Sequence, residues 1–212
     1  MWSWEQKINK PIKTLKSEPP KKVRIIGGNW RSRLLTVIDL PGLRPTTDRI
    51  RETLFNWLGQ DLTGLSCLDL FAGTGALGFE AASRGASIVV LLEKDKKVHA
   101  NLKSNFALLQ SSPGVGVVEL LHRDSLEFLK QQADDSSDII FVDPPFQDAS
   151  LLNQAVIEAG RVCNGSAGGA IYVEFPAIRP REEIEALLPE WHCGKYLEAG
   201  QVKACLFLAG RG

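Results

Sequence analysis

From Leu65 onward, short apolar runs alternate with stretches of helical periodicity, and this alternation constrains the fold more than any other feature. Nearly continuous apolar runs are typical of parallel strands that helices cover on both faces. The last two runs are separated only by residues 198–201, too few for a crossover connection, so we expect an antiparallel hairpin there. The sequence therefore predicts an α/β fold with a seven-stranded, mostly parallel, doubly wound open sheet and one reversed strand near an edge. The predicted strands are 67–71, 88–92, 115–121, 139–142, 170–175, 191–197 and 202–208, and the predicted helices are 76–84, 96–109, 125–132, 150–161 and 181–188.

The N-terminal quarter has a different pattern. Two β-like runs, 23–26 and 34–38, flank Gly27-Gly28-Asn29-Trp30, which predicts a small β-hairpin. A helix is predicted over 49–58, with Thr47 or Asp48 as its N-cap. We therefore expect three parts: a basic, flexible arm (1–22), a hairpin-and-helix extension (23–60) and the main α/β domain (61–212).

Charge is distributed unevenly, although the whole chain is neutral. Residues 1–51 hold twelve Lys and Arg against four acidic residues, which favours a polyanion partner for this end. Guanidinium groups suit phosphate and Trp30 would offer a stacking face, so RNA binding is predicted here. A solvated charged surface, or pairing with Asp39, Asp48 or Glu52, remains the alternative for these arginines. The candidate RNA-binding residues are Arg24, Trp30, Arg31, Arg33, Arg44 and Arg49.

Several classes of protein are disfavoured. No apolar run is long enough to span a membrane, and the polar N-terminus lacks the apolar stretch of a secretory signal. Four cysteines and three histidines show no metal-binding spacing. We therefore expect a cytoplasmic protein with reduced thiols, no metal and no membrane partner.

A glycine-rich turn follows the first predicted strand of the main domain, in the segment from Asp69 to Gly75. In open α/β sheets, nucleotide-like ligands bind outside the carboxyl ends of the strands, at such turns. Gly73 and Gly75 allow the backbone to bend and to approach a ligand. Glu93 ends the next strand, where a carboxylate accepts hydrogen bonds from ribose hydroxyls.

The negative charge of Asp69 discriminates between the nucleotide-like ligands that this turn could bind. Residues 73–78 also match a dinucleotide-binding pattern, but a carboxylate beside the turn would repel a pyrophosphate. It would favour S-adenosylmethionine, whose ammonium and sulfonium groups are cationic. Asp124, after the third strand, is placed to accept the adenine amino group. A nicotinamide cofactor, or a purely structural role for these acids, is the disfavoured alternative.

The segment Asp143-Pro144-Pro145-Phe146 ends a buried strand and carries the strongest catalytic signal. Two prolines make the turn rigid and remove two backbone donors, which leaves neighbouring carbonyls free to accept. An exocyclic base amine is a poor nucleophile because its lone pair is delocalised into the ring. Asp143 and a carbonyl such as that of Pro144 would accept its N–H groups and orient it, while Phe146 stacks on the base. A packed proline-rich turn is the alternative.

Together these two motifs resemble class I methyltransferases that modify exocyclic amines. The N-terminal runs, 24–31 and 43–57, resemble one branch in particular, the bacterial RsmD-type enzymes that methylate a guanine N2 in small-subunit ribosomal RNA. The resemblance covers about residues 22–208; the arm before Lys22 departs from it.

The resemblance implies roles for residues already singled out. It implies that the S-adenosylmethionine pocket is lined by Asp69, Gly73, Gly75, Glu93 and Asp124, and that Asp143, Pro144, Pro145 and Phe146 form the catalytic loop. It also implies that Arg44, Thr46, Thr47 and Arg49 close over the cofactor or reach the RNA, and we assign Thr46 to the cofactor. Glu174 and Phe175, which end the fifth strand, approach the pocket rim without an assigned role.

The partner implied is the small ribosomal subunit or its RNA, bound by a monomer. Three other functions stay open: an adenine-N6 methyltransferase, because the same loop serves either amine; a protein-glutamine methyltransferase, which usually has Asn at position 143; and a nonenzymatic RNA-binding module that retains a vestigial pocket.

Overall fold

The computed structural model describes residues 22–38, 48–110, 116–145 and 147–209. In this part of the chain there are nine strands, six α-helices and one 3₁₀ helix (Gly165–Ala167). The strands are β1 (Lys22–Arg24), β2 (Leu34–Thr36), β3 (Ser66–Asp69), β4 (Ile88–Glu93), β5 (Val117–His122), β6 (Ile139–Val142), β7 (Ala170–Pro176), β8 (Trp191–Ala199) and β9 (Val202–Ala209). The helices are α1 (Asp48–Leu58), α2 (Ala76–Ser83), α3 (Lys96–Leu109), α4 (Ser125–Leu129), α5 (Ala149–Val162) and α6 (Arg181–Glu185).

The main sheet has seven strands in the order β5-β4-β3-β6-β7-β9-β8. The first five are parallel, and β9 runs antiparallel to both of its neighbours. This confirms the predicted seven-stranded, mostly parallel sheet with one reversed strand next to an edge. The chain builds outward from β3 to β5 on one side and then continues at β6 on the other. The strand order therefore reverses between β3 and β6, where open α/β sheets place their ligands.

Helices cover both faces of the sheet, which makes the fold doubly wound. One hydrophobic cluster joins the sheet to α1, α2, α3 and the N-terminal hairpin, and the other joins it to α4, α5 and α6. Strand side chains alternate between the two clusters. Phe141 and Tyr172 belong to the first cluster, whereas Val142 and Val173 belong to the second. The alternation decides which side chains reach the site described below.

The strands β1 and β2 form the predicted antiparallel hairpin, which rests on α2. Glu80, fully buried on α2, accepts the backbone N–H groups of Ile26 and Gly27 at 2.7 Å each. The guanidinium of Arg84 contacts the same carboxylate at 2.8 Å. Since the two N–H groups and the arginine share one buried carboxylate, the hairpin has a fixed position on the main domain.

The structure corrects the prediction for Trp30. Its ring is 0% exposed and makes edge contacts with Phe79 and Phe106, whose centroids lie 6.2 and 6.4 Å away. The backbone N–H of Trp30 donates to Ser83 Oγ at 2.8 Å. Trp30 therefore anchors the hairpin in the core and offers no stacking face to RNA, because burying its large apolar surface is more favourable than exposing it.

The helices α4 and α6 each end three residues earlier than predicted, and both end in the same way. The segment after α4 continues with i→i+3 hydrogen bonds, from Gln131 N–H to Phe128 and from Gln132 N–H to Leu129. Leu187 and Leu188 bond in this way after α6. The chain tightens into 3₁₀ turns there, whose side-chain spacing resembles that of a helix closely enough to mislead a periodicity argument.

Some predictions lie outside the described residues, namely the arm before Lys22, Thr47 as a cap, and the site residues Arg44, Thr46 and Phe146. Among the described helices, none has the length and apolar character needed to cross a membrane.

Candidate active site

A cavity of about 1110 Å³ opens at the carboxyl ends of β3, β4, β6 and β7. Its wall includes the glycine turn after β3, the diproline turn after β6, and the ends of β4 and β7. Ile50 of α1, the start of α5 and residues 199–202 at the β8–β9 turn also line the cavity, and sequence reasoning had placed none of them there. The cavity is large enough to hold a nucleoside-sized ligand together with a second group.

The glycine turn links β3 to α2 through left-handed backbone conformations. Gly73 (φ 55°) lines the cavity, and Gly75 (φ 86°) begins α2. A Cβ on Gly75 would lie 2.2 Å from a ring carbon of Phe79, so no larger residue fits. Gly75 therefore shapes the site through the turn and the helix start, while Gly73 and Thr74 form the wall itself.

Asp69, at the end of β3, is buried at the base of the cavity. Its carboxylate accepts the backbone N–H of Gly78 at 2.9 Å. Burial raises the pKa of Asp69 to about 7, the charges of Asp143 and Glu93 add to the rise, and the Gly78 hydrogen bond opposes it. A cation in the cavity would favour the ionised form of this carboxyl group.

Glu93 ends β4 and faces the same cavity. It accepts the N–H of Gly73 at 3.1 Å and that of Asp95 at 2.7 Å, so it ties the glycine turn to the next strand. Partial burial raises the pKa of Glu93, and the two backbone N–H groups lower it. Its position matches the one predicted for an acceptor of ribose hydroxyls.

Asp124 lies on the cavity wall as the N-cap of α4. It accepts the N–H groups of Leu126 and Glu127, and Lys94 forms an ion pair with it at 2.8 Å. The hydrogen bond from Lys94 is the main reason that the pKa of Asp124 is lowered. The three carboxylates predicted to bind the cofactor thus converge on one cavity, and they differ in environment.

Asp143 follows β6 directly, and Pro144 and Pro145 line the cavity after it. Leu68 and Asp69 of β3 pair with Ile140 and Phe141 of β6, so the two motifs predicted from sequence are neighbours across one strand pair.

Glu174 is the functional candidate to which sequence reasoning assigned no role. It lines the cavity at 2% exposure, and the hydroxyl of Tyr172 donates to its Oε1 at 2.7 Å. Val142 pairs with Val173, which places Asp143 and Glu174 side by side at the carboxyl ends of β6 and β7. An acidic residue in a strand whose neighbours are all apolar was the available signal. Phe175, one residue on, is fully buried in the opposite hydrophobic cluster.

The candidate RNA-binding arginines that the structure describes are exposed. Arg24, Arg31 and Arg33 lie on the hairpin and Arg49 on α1. Arg51 is different, because it is buried and its guanidinium donates to the Arg24 carbonyl at 2.6 Å and to Asp48 at 2.7 Å. The arginine-to-carboxylate pairing considered from sequence therefore occurs at Arg51.

Comparison with known proteins identifies the family. The family model "Conserved hypothetical protein 95" matches residues 23–208. The chain is 42% identical to the ribosomal RNA small subunit methyltransferase D of Escherichia coli K12, over 88% of this chain and 89% of that protein. It is 45% identical to the protein of the same name from Haemophilus influenzae, over 75% of this chain and 81% of that protein.

The fold agrees with a solved relative. The structure of yhhF from Escherichia coli superposes with a TM-score of 0.71 at 39% identity, over 89% of this chain and 98% of that one. The residues that the family model matches include both the N-terminal hairpin and the main sheet. The chain belongs to the family of the ribosomal RNA small subunit methyltransferase D proteins.

Proposed function

We propose that this protein transfers a methyl group from S-adenosylmethionine to the exocyclic N2 amine of a guanine in small-subunit ribosomal RNA. One observation carries the proposal: the Asp69–Gly75 turn and the Asp143-Pro144-Pro145 turn open onto a single cavity at the switch point of the sheet. The name shared by its relatives supports the same activity.

The residues of the cavity fit S-adenosylmethionine by the chemistry of their donors and acceptors. Asp69 offers a buried carboxylate to the ammonium group, Glu93 offers acceptors to the ribose hydroxyls, and Asp124 faces the adenine end. Leu92 and Leu126 give this part of the cavity apolar walls for a base. When bound, S-adenosylmethionine supplies an electrophilic methyl group on a sulfonium. We infer no metal requirement, since methyl transfer from this donor needs none.

Asp143 and Pro144 orient the acceptor amine. The carboxylate and the backbone carbonyl accept its two N–H groups, which localises the nitrogen lone pair and directs it toward the methyl group. The prolines contribute no N–H groups that would compete for these acceptors. A strong base is unnecessary, because the nitrogen becomes acidic once methylated. Catalysis therefore consists mainly of orientation and electrostatic stabilisation.

We propose that the hairpin and α1, within residues 23–60, hold the RNA by its phosphates. Arg24, Arg31 and Arg33 are exposed on the hairpin, which α2 holds in place, and Arg49 is exposed on α1. Such contacts position the RNA without reading its sequence. We assign Arg44 and Thr46 to the segment that closes over the cofactor or reaches the RNA. An rRNA substrate places the reaction in the cytoplasm, and we expect the chain to act as a monomer.

The proposal is tested with labelled S-adenosylmethionine, the purified protein, and both small subunits and free RNA from a strain that lacks the gene. We expect labelled N2-methylguanosine after nucleoside analysis. Label in N6-methyladenosine would replace guanine by adenine as the substrate. A protein that binds RNA but neither binds S-adenosylmethionine nor transfers label would be the nonenzymatic module.

A further inference from the structure

Glu174 is a buried carboxylate at the cavity wall that methyl transfer, as described above, does not use. It lies on β7 beside β6, and because Val142 pairs with Val173, Asp143, the residue directly after β6, comes opposite Glu174. Side-chain alternation sends Tyr172 and Glu174 toward the face shared by α1, α2 and α3, as it does Phe141 and Asp143. Glu174 and Asp143 are therefore neighbouring carboxylates on one side of the cavity.

The hydroxyl of Tyr172 holds this carboxylate in place. Tyr172 is fully buried and donates to Glu174 Oε1 at 2.7 Å. Burial and the nearby Glu174 charge raise the pKa of Tyr172 well above its usual value, so the phenol stays a hydrogen-bond donor. A buried carboxylate held in one orientation is suited to discriminate among ligands, because it forms a hydrogen bond with a ligand donor and repels a ligand acceptor at the same place.

The two purine bases differ in the ring atom beside the exocyclic amine. In guanine, the N2 amine adjoins the N1–H group, so two neighbouring atoms donate. In adenine, the N6 amine adjoins N1, which accepts. Two adjacent carboxylates match the first pattern and oppose the second, because a carboxylate facing a ring acceptor finds no proton.

We propose that Glu174 accepts the N1–H of the target guanine while Asp143 accepts the N2 amine, so that Glu174 selects guanine over adenine. This inference rests on the proposed function and names the residue that sets its base specificity. Tyr172 is a positioning residue that acts through Glu174.

The experiment compares guanine with 2-aminopurine at the methylated position of small-subunit RNA. 2-Aminopurine keeps the amine, but its N1 accepts instead of donating. Both RNAs compete for one enzyme preparation, so the ratio of their kcat/KM values is independent of the folded fraction. We expect the wild-type protein to prefer guanine. In Glu174→Gln, whose amide can donate to N1 of 2-aminopurine, the ratio should fall by about tenfold or more, the effect of one charge-assisted hydrogen bond.

The chain offers a matched control in Glu198, which lies two residues after a tyrosine on β8. The Tyr196 hydroxyl donates to Glu198 Oε2 at 3.0 Å, but this pair is exposed and Glu198 does not line the cavity. Glu198→Gln should leave the ratio unchanged.

The outcomes separate the two proposals. A lower ratio in Glu174→Gln supports the role of Glu174. If guanine is methylated but Glu174→Gln changes both rates by the same factor, the role of Glu174 is refuted and the proposed function stands. If the wild-type protein transfers no methyl group to guanine, the proposed function fails, and the role of Glu174 fails with it.

Discussion

At the scale of single residues, carboxylates that share one cavity have different protonation behaviour. The pKa of Asp69 is raised to about 7 by burial, whereas that of Asp124 is lowered, mainly by the hydrogen bond from Lys94. The residue type is the same, and the surroundings determine the charge. We expect a cationic ligand to bind beside Asp69, because no cation compensates its ionised carboxylate among the described contacts.

Replacing Asp143 tests the orientation of the amine. In Asp143→Ala we expect methyl transfer to fall by at least about a thousandfold, because the acceptor that directs the amine is lost. Binding of S-adenosylmethionine should stay within several-fold of the wild type, measured by calorimetry. Asp134→Ala is the control, since Asp134 pairs with Arg161 in a mostly exposed contact outside the cavity wall. Retained turnover in Asp143→Ala would remove Asp143 from its role.

The raised pKa of Asp69 predicts a pH dependence of cofactor binding. Below about pH 7 this carboxyl group is mostly protonated in the ligand-free protein and attracts a cation less. The affinity for S-adenosylmethionine should therefore fall on the order of tenfold between pH 7.5 and pH 5.5. Asp69→Asn should weaken binding at pH 7.5 and lose most of this dependence. An equally steep profile in that variant would assign the titration to another group.

At the scale of elements, α2 connects the two functional parts. Its N-terminus follows the glycine turn, and its last turns carry Glu80, Ser83 and Arg84, which hold the hairpin. All eight of its residues are buried. Because α2 contacts both the hairpin and the cavity wall, it fixes the position of one relative to the other.

The buried pair of Glu80 and Arg84 should therefore contribute strongly to stability. Glu80→Ala leaves a buried guanidinium and two backbone N–H groups without their acceptor, and we expect a loss of about 3–5 kcal/mol. Urea denaturation gives the free energy of unfolding. Glu183→Ala is the control, because Glu183 is 57% exposed and pairs with Arg179 at the same i,i+4 spacing, and it should cost less than about 1 kcal/mol. Similar losses in both variants would contradict the anchoring role.

At the scale of the whole molecule, the neutral net charge of the sequence conceals a basic N-terminal quarter, and in the described part the hairpin carries exposed arginines while carboxylates line the cavity. Because Glu80 of α2 holds the hairpin on the main domain, we expect phosphate contacts at its exposed arginines to hold the RNA in a fixed relation to the cavity. An RNA bound in this way is attracted electrostatically and oriented at the same time.

Neutralising Arg31 and Arg33 together tests this arrangement. RNA affinity should fall, and the slope of log K against log salt should become shallower by about one unit, because fewer counterions are released. Filter binding at several salt concentrations measures both. The exposed Lys130 and Lys195, outside the hairpin, supply the control substitutions to Gln. An unchanged slope in the arginine variant would show that the hairpin does not contact phosphate.

Much of the fold could be predicted from local sequence patterns. Strand β6 and helix α3 were predicted with the bounds that the structure has, because a buried strand before two prolines and a helix capped by Asp95 are marked locally. The ends of α4 and α6 were misjudged because 3₁₀ turns have a similar spacing. Trp30 was misassigned because its neighbours in sequence are basic and polar, whereas its neighbours in space are Phe79 and Phe106.

The sequence by itself determined the alternation of strands and helices, the reversed strand, and the two turns that carry Asp69 and Asp143, because periodicity, glycine and proline act on the chain locally. Only the tertiary structure decided what stands beside those turns. The pairing of β6 with β7 brought Glu174 next to Asp143, and Trp30 is buried in the core instead of lying on the surface. Strand register and burial depend on contacts between residues far apart in the chain, which no local pattern records.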